Sequence, residues 1–192
     1  MTPEWVAAIA SLGTLVVIAA TAVAALIQLR HMRSGNQIVV LSEIRETMES
    51  QYFRDTLEQV HQGLPTLLND PHIRARILAS KRLTEISELT PVRTLANFYE
   101  GCGAFVKAGI VDKKLFCDIW ANVVLRDWEI IAPLVANVRA AREAPEIWDN
   151  FEYLAAVSRQ FANKYPNLYP RGTPHEQMPA LWPETAKLLD ER

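Results

Sequence analysis

The sequence predicts an all-α protein with three parts: a single N-terminal transmembrane helix, a cytoplasmic helical bundle and a Pro-rich C-terminal arm. Three observations predict it. Residues 5–29 make a run of 25 residues without a charge. Beyond residue 35, apolar residues recur every three or four positions, and no stretch has the two-residue period of a strand. From Tyr165 to Pro183 there are five prolines, too many for a long helix. The expected divisions are 1–35 for the anchor and its basic flank, 36–164 for the helical domain and 165–192 for the arm.

The anchor is WVAAIASLGTLVVIAATAVAALIQL. As a helix it reaches about 37 Å, enough to cross a hydrocarbon core of about 30 Å with some tilt. Only Glu4 charges its N-terminal side, whereas Arg30, His31 and Arg33 follow it at once. The positive-inside rule then puts the N-terminus outside and the rest in the cytoplasm, at the inner membrane. Trp5 stands where an interfacial aromatic belongs. Two other readings are weaker. Ala22-Val23-Ala24 offers a signal-peptidase site, but no Lys or Arg precedes the apolar run, and Arg30 and Arg33 oppose export. A buried helix of a soluble protein would show a polar face, which this run lacks. Small residues spaced by four, Ala7 with Ser11, Ala20 with Ala24 and Thr21 with Ala25, permit close helix packing in lipid, or are simple filler.

After the anchor, Ser34-Gly35-Asn36 is the weak point, where the helix continues or bends. Ile38, Leu41, Ile44, Met48 and Tyr52 then make an apolar stripe, with Glu43, Arg45, Glu46 and Glu49 on the wet side. A second short helix carries Phe53, Leu57 and Val60, and Gly63-Leu64-Pro65 is expected to stop it. Asp70-Pro71 reads as a cap and first helical position, opening a short helix with Ile73, Ile77 and Leu78 inward. Residues 81–89 read as a connector. Thr90-Pro91 repeats the start signal for a helix with Val92, Leu95, Ala96, Tyr99, Cys102, Phe105 and Val106 on one face, ended by Gly109. Asp112 caps the next helix, with Leu115, Phe116, Ile119, Trp120, Val123 and Val124 inward. Arg126-Asp127 interrupts the stripe, and Trp128, Ile131, Leu134, Val135 and Val138 resume it, with Pro133 as a kink or restart. Pro145 is expected to begin the last long helix, which carries Ile147, Trp148, Phe151, Leu154, Ala155, Val157, Ser158 and Phe161. In the arm, Leu168, Tyr169, Met178, Leu181 and Trp182 are too apolar for a solvated linker, and Pro183 to Asp190 reads as a short final helix.

Composition narrows the chemistry. Net charge is −2, so no basic field for nucleic acid exists. The basic residues beside the anchor fall short of the four to eight of a strong lipid-binding patch. The four histidines, His31, His61, His72 and His175, stand far apart, and none pairs locally with another His or a Cys. No G-x-S-x-G, HExxH or phosphate loop occurs, and no cofactor motif is read. Cys102 and Cys117 form no CxxC and read as small buried apolar residues; a bridge between helices is the alternative. Glu100 lies beside an apolar stripe, with Arg93, Lys107 and Arg126 as partners or a backbone group to cap. Asp118 and Asp127 are expected on exposed positions.

The segment Leu95-Ala96-Asn97-Phe98-Tyr99-Glu100, then Ala108-Gly109-Ile110-Val111-Asp112 and Trp128, resembles a bacterial family known as a domain of unknown function. The basic flank adds Arg30, Arg33 and Asn36. The resemblance covers most of residues 5–160. It implies one membrane helix, a basic flank with an Asn a few residues on, and a helical cytoplasmic domain; it implies no activity, cofactor or partner. The candidate structural or interaction positions are Arg30, Arg33, Asn36, Asn97, Glu100, Asp112 and Trp128.

These readings converge on a membrane-anchored interaction, scaffold or regulatory protein that holds a protein partner or a second copy of itself beside the bilayer. The alternatives are a membrane-bound enzyme or effector with a site assembled from Glu100, Asn97 and a distant His, or an accessory subunit of a larger membrane complex.

Overall fold

A computed structural model describes residues 3–166, 168–169 and 172–176, without the side chains of 5–10, 30–31, 33–34 and 36. Trp5's side chain, the expected helix at 183–190 and most of the proline-rich arm therefore lie outside the described residues. Six α-helices and two short 3-10 turns make up the described fold, and no strand occurs among the described residues.

Helix α1 runs Pro3–Glu49 without interruption, about 70 Å. It passes Ser34-Gly35-Asn36 unbroken. Ser11–Leu29 within it has a mean hydropathy of 2.2 and is long and apolar enough to cross a membrane. The side chains of this stretch stand exposed. At the other end Ile44 enters the core, with Val40, Leu41 and Met48 leaning on it. One helix thus joins the apolar stretch to the folded domain.

Helix α2 spans Gln51–Asn69, opened by Ser50, whose side chain accepts from the Phe53 amide. Contrary to expectation, Gly63-Leu64-Pro65 does not stop it. An internal proline costs about 3 kcal/mol. Burying Leu64 fully and Leu67 and Leu68 in part offsets that, at about 1.5–3 kcal/mol for a fully buried side chain. Helix α3, Pro71–Ala79, has the expected cap: Asp70 Oδ1 accepts from the His72 amide at 2.7 Å. Residues 81–89 are the expected connector, holding turns at Leu83–Glu85 and Ser87–Leu89.

Helix α4 is Thr90–Lys107. Thr90 is already helical and Leu89 takes the cap position with no side-chain bond, because the preceding turn runs straight into the helix. Gly109, at φ 69°, ends α4 as expected, and the Ile110 amide returns to the Phe105 carbonyl at 3.0 Å. Asp112 caps helix α5, Lys113–Arg142, accepting from the Leu115 amide at 2.8 Å. Pro133 lies inside α5 without restarting it, since Ile131, Leu134, Val135 and Val138 stay buried on both sides of it. Helix α6, Asp149–Lys164, begins four residues later than Pro145. Trp148 precedes it in the left-handed region, φ 55°.

Helices α4, α5 and α6 form the centre, with α2 across α4 and α5, and α3 against α5. Their shared core holds Phe53, Leu95, Tyr99, Phe116, Ile131, Phe151 and Leu154. Ile38, Tyr52, Leu78, Phe105, Leu115 and Ile119, expected inward, are exposed. Ile38 and Ile119 face a groove between α1 and α5. The helical period placed these side chains on the right face, but that face has no neighbour along its whole length.

Candidate functional site

Two polar junctions are built into the helical core, and they meet at Tyr99. The first joins α4 to the start of α6. Asn97, Glu100, Gly103 and Lys107 recur at helical spacing along one side of α4. Glu100 accepts from the Asn150 side-chain amide at 2.7 Å and from the Phe151 backbone amide at 3.0 Å. Its carboxylate therefore supplies the N-terminal cap that α6 lacks locally, and its charge suits the positive end of the helix dipole. Asn97 Oδ1 accepts from the Trp148 indole N–H at 2.8 Å, which holds the buried indole against α4. Lys107 donates to Asn150 Oδ1 at 3.1 Å. Gly103 lets the two helices touch: a Cβ there would lie 2.0 Å from the Asn150 carbonyl oxygen.

The second junction is a buried carboxylate. Asp127 on α5 is fully buried. It accepts from the Tyr99 hydroxyl at 2.7 Å and sits 2.8 Å from His61 Nε2 on α2. Arg126 Nε approaches the same carboxylate at 3.4 Å. Burial, then the neighbouring Asp127 charge, pushes the Tyr99 phenol well above its ordinary range. The expectation that Asp127 is exposed is thereby corrected. Asp127 follows Val124 by three and precedes Ile131 by four, so it continues the buried stripe rather than breaking it, and its partners are too distant in sequence to announce themselves. The Tyr99 ring stacks on Phe151 with centroids 4.7 Å apart. Trp128 meets Phe151 edge-on at 4.9 Å.

The structure thus gathers Asn97, Glu100 and Trp128 around the first turn of α6. Asp112 stands apart at the start of α5. Arg30, Arg33 and Asn36 lie on α1, their side chains outside the described residues. The sequence reading missed His61, Tyr99 as a hydroxyl donor, Asp127, Gly103, Trp148 and Asn150. Glu100 takes α6 rather than Arg93, Lys107 or Arg126; Arg93 instead reaches the Leu83 carbonyl at 3.5 Å.

Chemically, both junctions hold helices together. The Tyr99 hydroxyl and the Asp127 carboxylate satisfy each other in the interior. Cys102 and Cys117 are free and buried, and burial pushes the Cys102 thiol up to about 12, so it stays protonated and inert. Among the described residues no group of three or more His, Cys, Asp and Glu could hold a metal. Two grooves flank the domain part of α1. One, of about 440 Å³, is lined by Ile38, Leu41, Met48, Ile119 and Trp120, with Arg45 and Glu49 at its rim. The other, of about 270 Å³, lies towards α4 and includes Val40, Ile44, Phe98 and Phe105.

A family model, a domain of unknown function designated DUF4760, matches residues 15–158. No curated protein and no solved structure matches the chain. The family match starts inside the apolar stretch of α1 and ends in α6, so both polar junctions fall within it and the proline-rich arm falls outside. Since it covers 144 of 192 residues, counting 15 to 158 inclusive, the chain belongs to the DUF4760 family.

Proposed function

We propose that this chain is a single-pass membrane protein whose helical domain faces the cytoplasm and acts by binding a protein partner at the inner membrane, as a scaffold or regulator. The observation that carries the reading is α1. One helix holds an exposed apolar stretch long enough to span a bilayer and, without a break, buries Ile44 in the domain core. Such a helix transmits the position and rotation of the membrane segment to the domain. The basic flank of Arg30, His31 and Arg33 supports the cytoplasmic orientation. The groove between α1 and α5 supports a protein partner, because an apolar floor rimmed by Arg45 and Glu49 suits an amphipathic helix.

The polar groups that an enzyme reading would use favour binding over catalysis. Asn97 and Glu100 already bond to Trp148, Asn150 and Phe151. The test is extraction of the full chain from native membranes in mild detergent, with crosslinking and mass spectrometry. A defined stoichiometric partner is expected, and it should be lost when Ile119→Glu charges the groove. Recovery as a lone monomer, with the groove unoccupied, would contradict the reading and turn attention to a metabolite screen.

A further inference from the structure

The fold gathers basic residues that are scattered in sequence. Val40 of α1 and Phe105 of α4 line one groove with Thr47 and Phe98. Just past the end of α1, Phe53 meets the Phe98 ring at 4.7 Å, so the Thr47 end of the groove lies at Phe98 and the Val40 end at Phe105. Helix α4 therefore runs antiparallel to α1, and the turn that follows Phe105 points back along α1 towards its apolar stretch. Val40 is eleven residues beyond Leu29, about 16 Å along the helix. The turn at residues 108–112 lies on the Leu29 side of that level. Its height above the hydrocarbon is comparable to the headgroup layer plus a Debye length of about 8–10 Å.

What the turn presents matches that depth. Ile110 is exposed at its tip. Lys107 precedes it, and Lys113 and Lys114 follow, all exposed. The end of α6 brings a fourth cation: Lys114 Nζ and Lys164 Nζ stand 5.9 Å and 5.4 Å from the Tyr165 ring. Three acids, Asp112, Asp118 and Asp149, lie near these lysines, and one lysine is paired with an acid. Asp112 accepts from the Leu115 amide at 2.8 Å, and Asp149 shares Lys107 at 3.8 Å. Leaving out the paired Lys107, the cations are Lys113, Lys114 and Lys164, and the sequence adds Arg30 and Arg33 just past the apolar stretch, five in all and within the four to eight that lipid binding needs. An exposed apolar tip among lysines is the arrangement that seats in a bilayer interface.

We propose that the α4–α5 turn, Lys107 to Lys114, together with Lys164, docks on anionic phospholipid headgroups and so fixes the domain against the membrane that α1 crosses. This rests on the anchored reading above. The contact gives the domain a second attachment and sets its tilt, which governs how the α1–α5 groove faces a partner.

The test uses the full chain in vesicles of phosphatidylcholine alone or with one part in three phosphatidylglycerol. A fluorophore is placed at Ile110→Cys, and in a second preparation at Lys81→Cys. Both native cysteines are buried and escape labelling. Position 81 follows Ser80, whose carbonyl accepts from Arg142 at the far end of α5, so it reports the opposite pole of the domain. With a headgroup-attached quencher, the probe at 110 is expected to be quenched about threefold more than the probe at 81 in anionic vesicles, and less at high salt. Lys113→Glu with Lys114→Glu should bring it down to the level at 81. These changes place acids in the first turn of α5, where the helix dipole favours them, so the fold is spared. Equal quenching at 110 and 81, or quenching unchanged in the double variant or in neutral vesicles, would overturn the docking while leaving the anchor intact. A chain that fails to float with the vesicles would overturn the anchored reading and this proposal with it.

Discussion

Gly101 and Gly103 stand two positions apart on α4 and have opposite requirements. A Cβ at Gly101 meets open space, whereas one at Gly103 runs into the Asn150 carbonyl. Gly101→Ala should therefore stabilise by about 0.5–1 kcal/mol through helix propensity. Gly103→Ala should destabilise by about 1–3 kcal/mol or more, because α6 must move off α4. Urea unfolding of the two variants in one detergent checks the sign of each. Asp127 makes a second contrast. Asp127→Ala leaves the Tyr99 hydroxyl buried without an acceptor and should cost about 3 kcal/mol. Tyr99→Phe combined with Asp127→Leu should recover much of that loss, since the fully buried hydroxyl and carboxylate go together and the partners left behind, His61 and Arg126, reach solvent. Alkaline pH tests the same interior. Tyr99 and Cys102 hold their protons more tightly folded than unfolded, against ordinary values of 10.0 and 9.0. A raised folded pKa contributes stability that is complete below the unfolded value and lost as pH rises through the folded one. The Tm is expected to be level up to about pH 9 and to fall steadily above it, less steeply in Tyr99→Phe.

Among the helices, what was legible in the sequence is what local chemistry decides. Asp70 and Asp112 cap their helices because a carboxylate two or three residues from free amides needs no distant help, and Gly109 ends α4 for an equally local reason. The length of α1 follows from the uncharged run and the stripe after it. The misread features depend on partners far along the chain. Pro65 fails to stop α2 because Leu64 has a core to enter. Trp148 is seated by Asn97, 51 positions earlier, which accepts its indole N–H. Asp127 is buried because Tyr99 and His61, 28 and 66 positions away, receive it. Asn97 and Glu100 were legible as polar groups on a helix edge, but α6 as their receiver was not. The continuity of α1 carries its own prediction. Ile44 seats its last turns, so Ile44→Glu should release them and speed tryptic cleavage at the exposed Arg45, while the interior of α5 stays protected. Unchanged cleavage kinetics on gels would show that α1 is held by other contacts.

As a whole, the described residues form a strut and a block. The strut is α1, apolar and bare over Ser11–Leu29; the block is the bundle of α2 to α6, pinned to it near Ile44. The bare segment, nineteen residues of mean hydropathy 2.2, is long and apolar enough to cross a membrane, and the proposed function places it in lipid. The proposed orientation rests on the cations Arg30, His31 and Arg33 on one flank. Both are tested together by protease protection in membrane vesicles of known sidedness, read by intact-mass spectrometry of the fragments. The account predicts that the chain resists alkaline carbonate extraction. Trypsin should remove the domain beyond Arg30 only in inverted vesicles, leaving a protected fragment that still carries residues 1–29. A domain released by carbonate with residues 1–24 already missing, or one digested from the outer face, would contradict it.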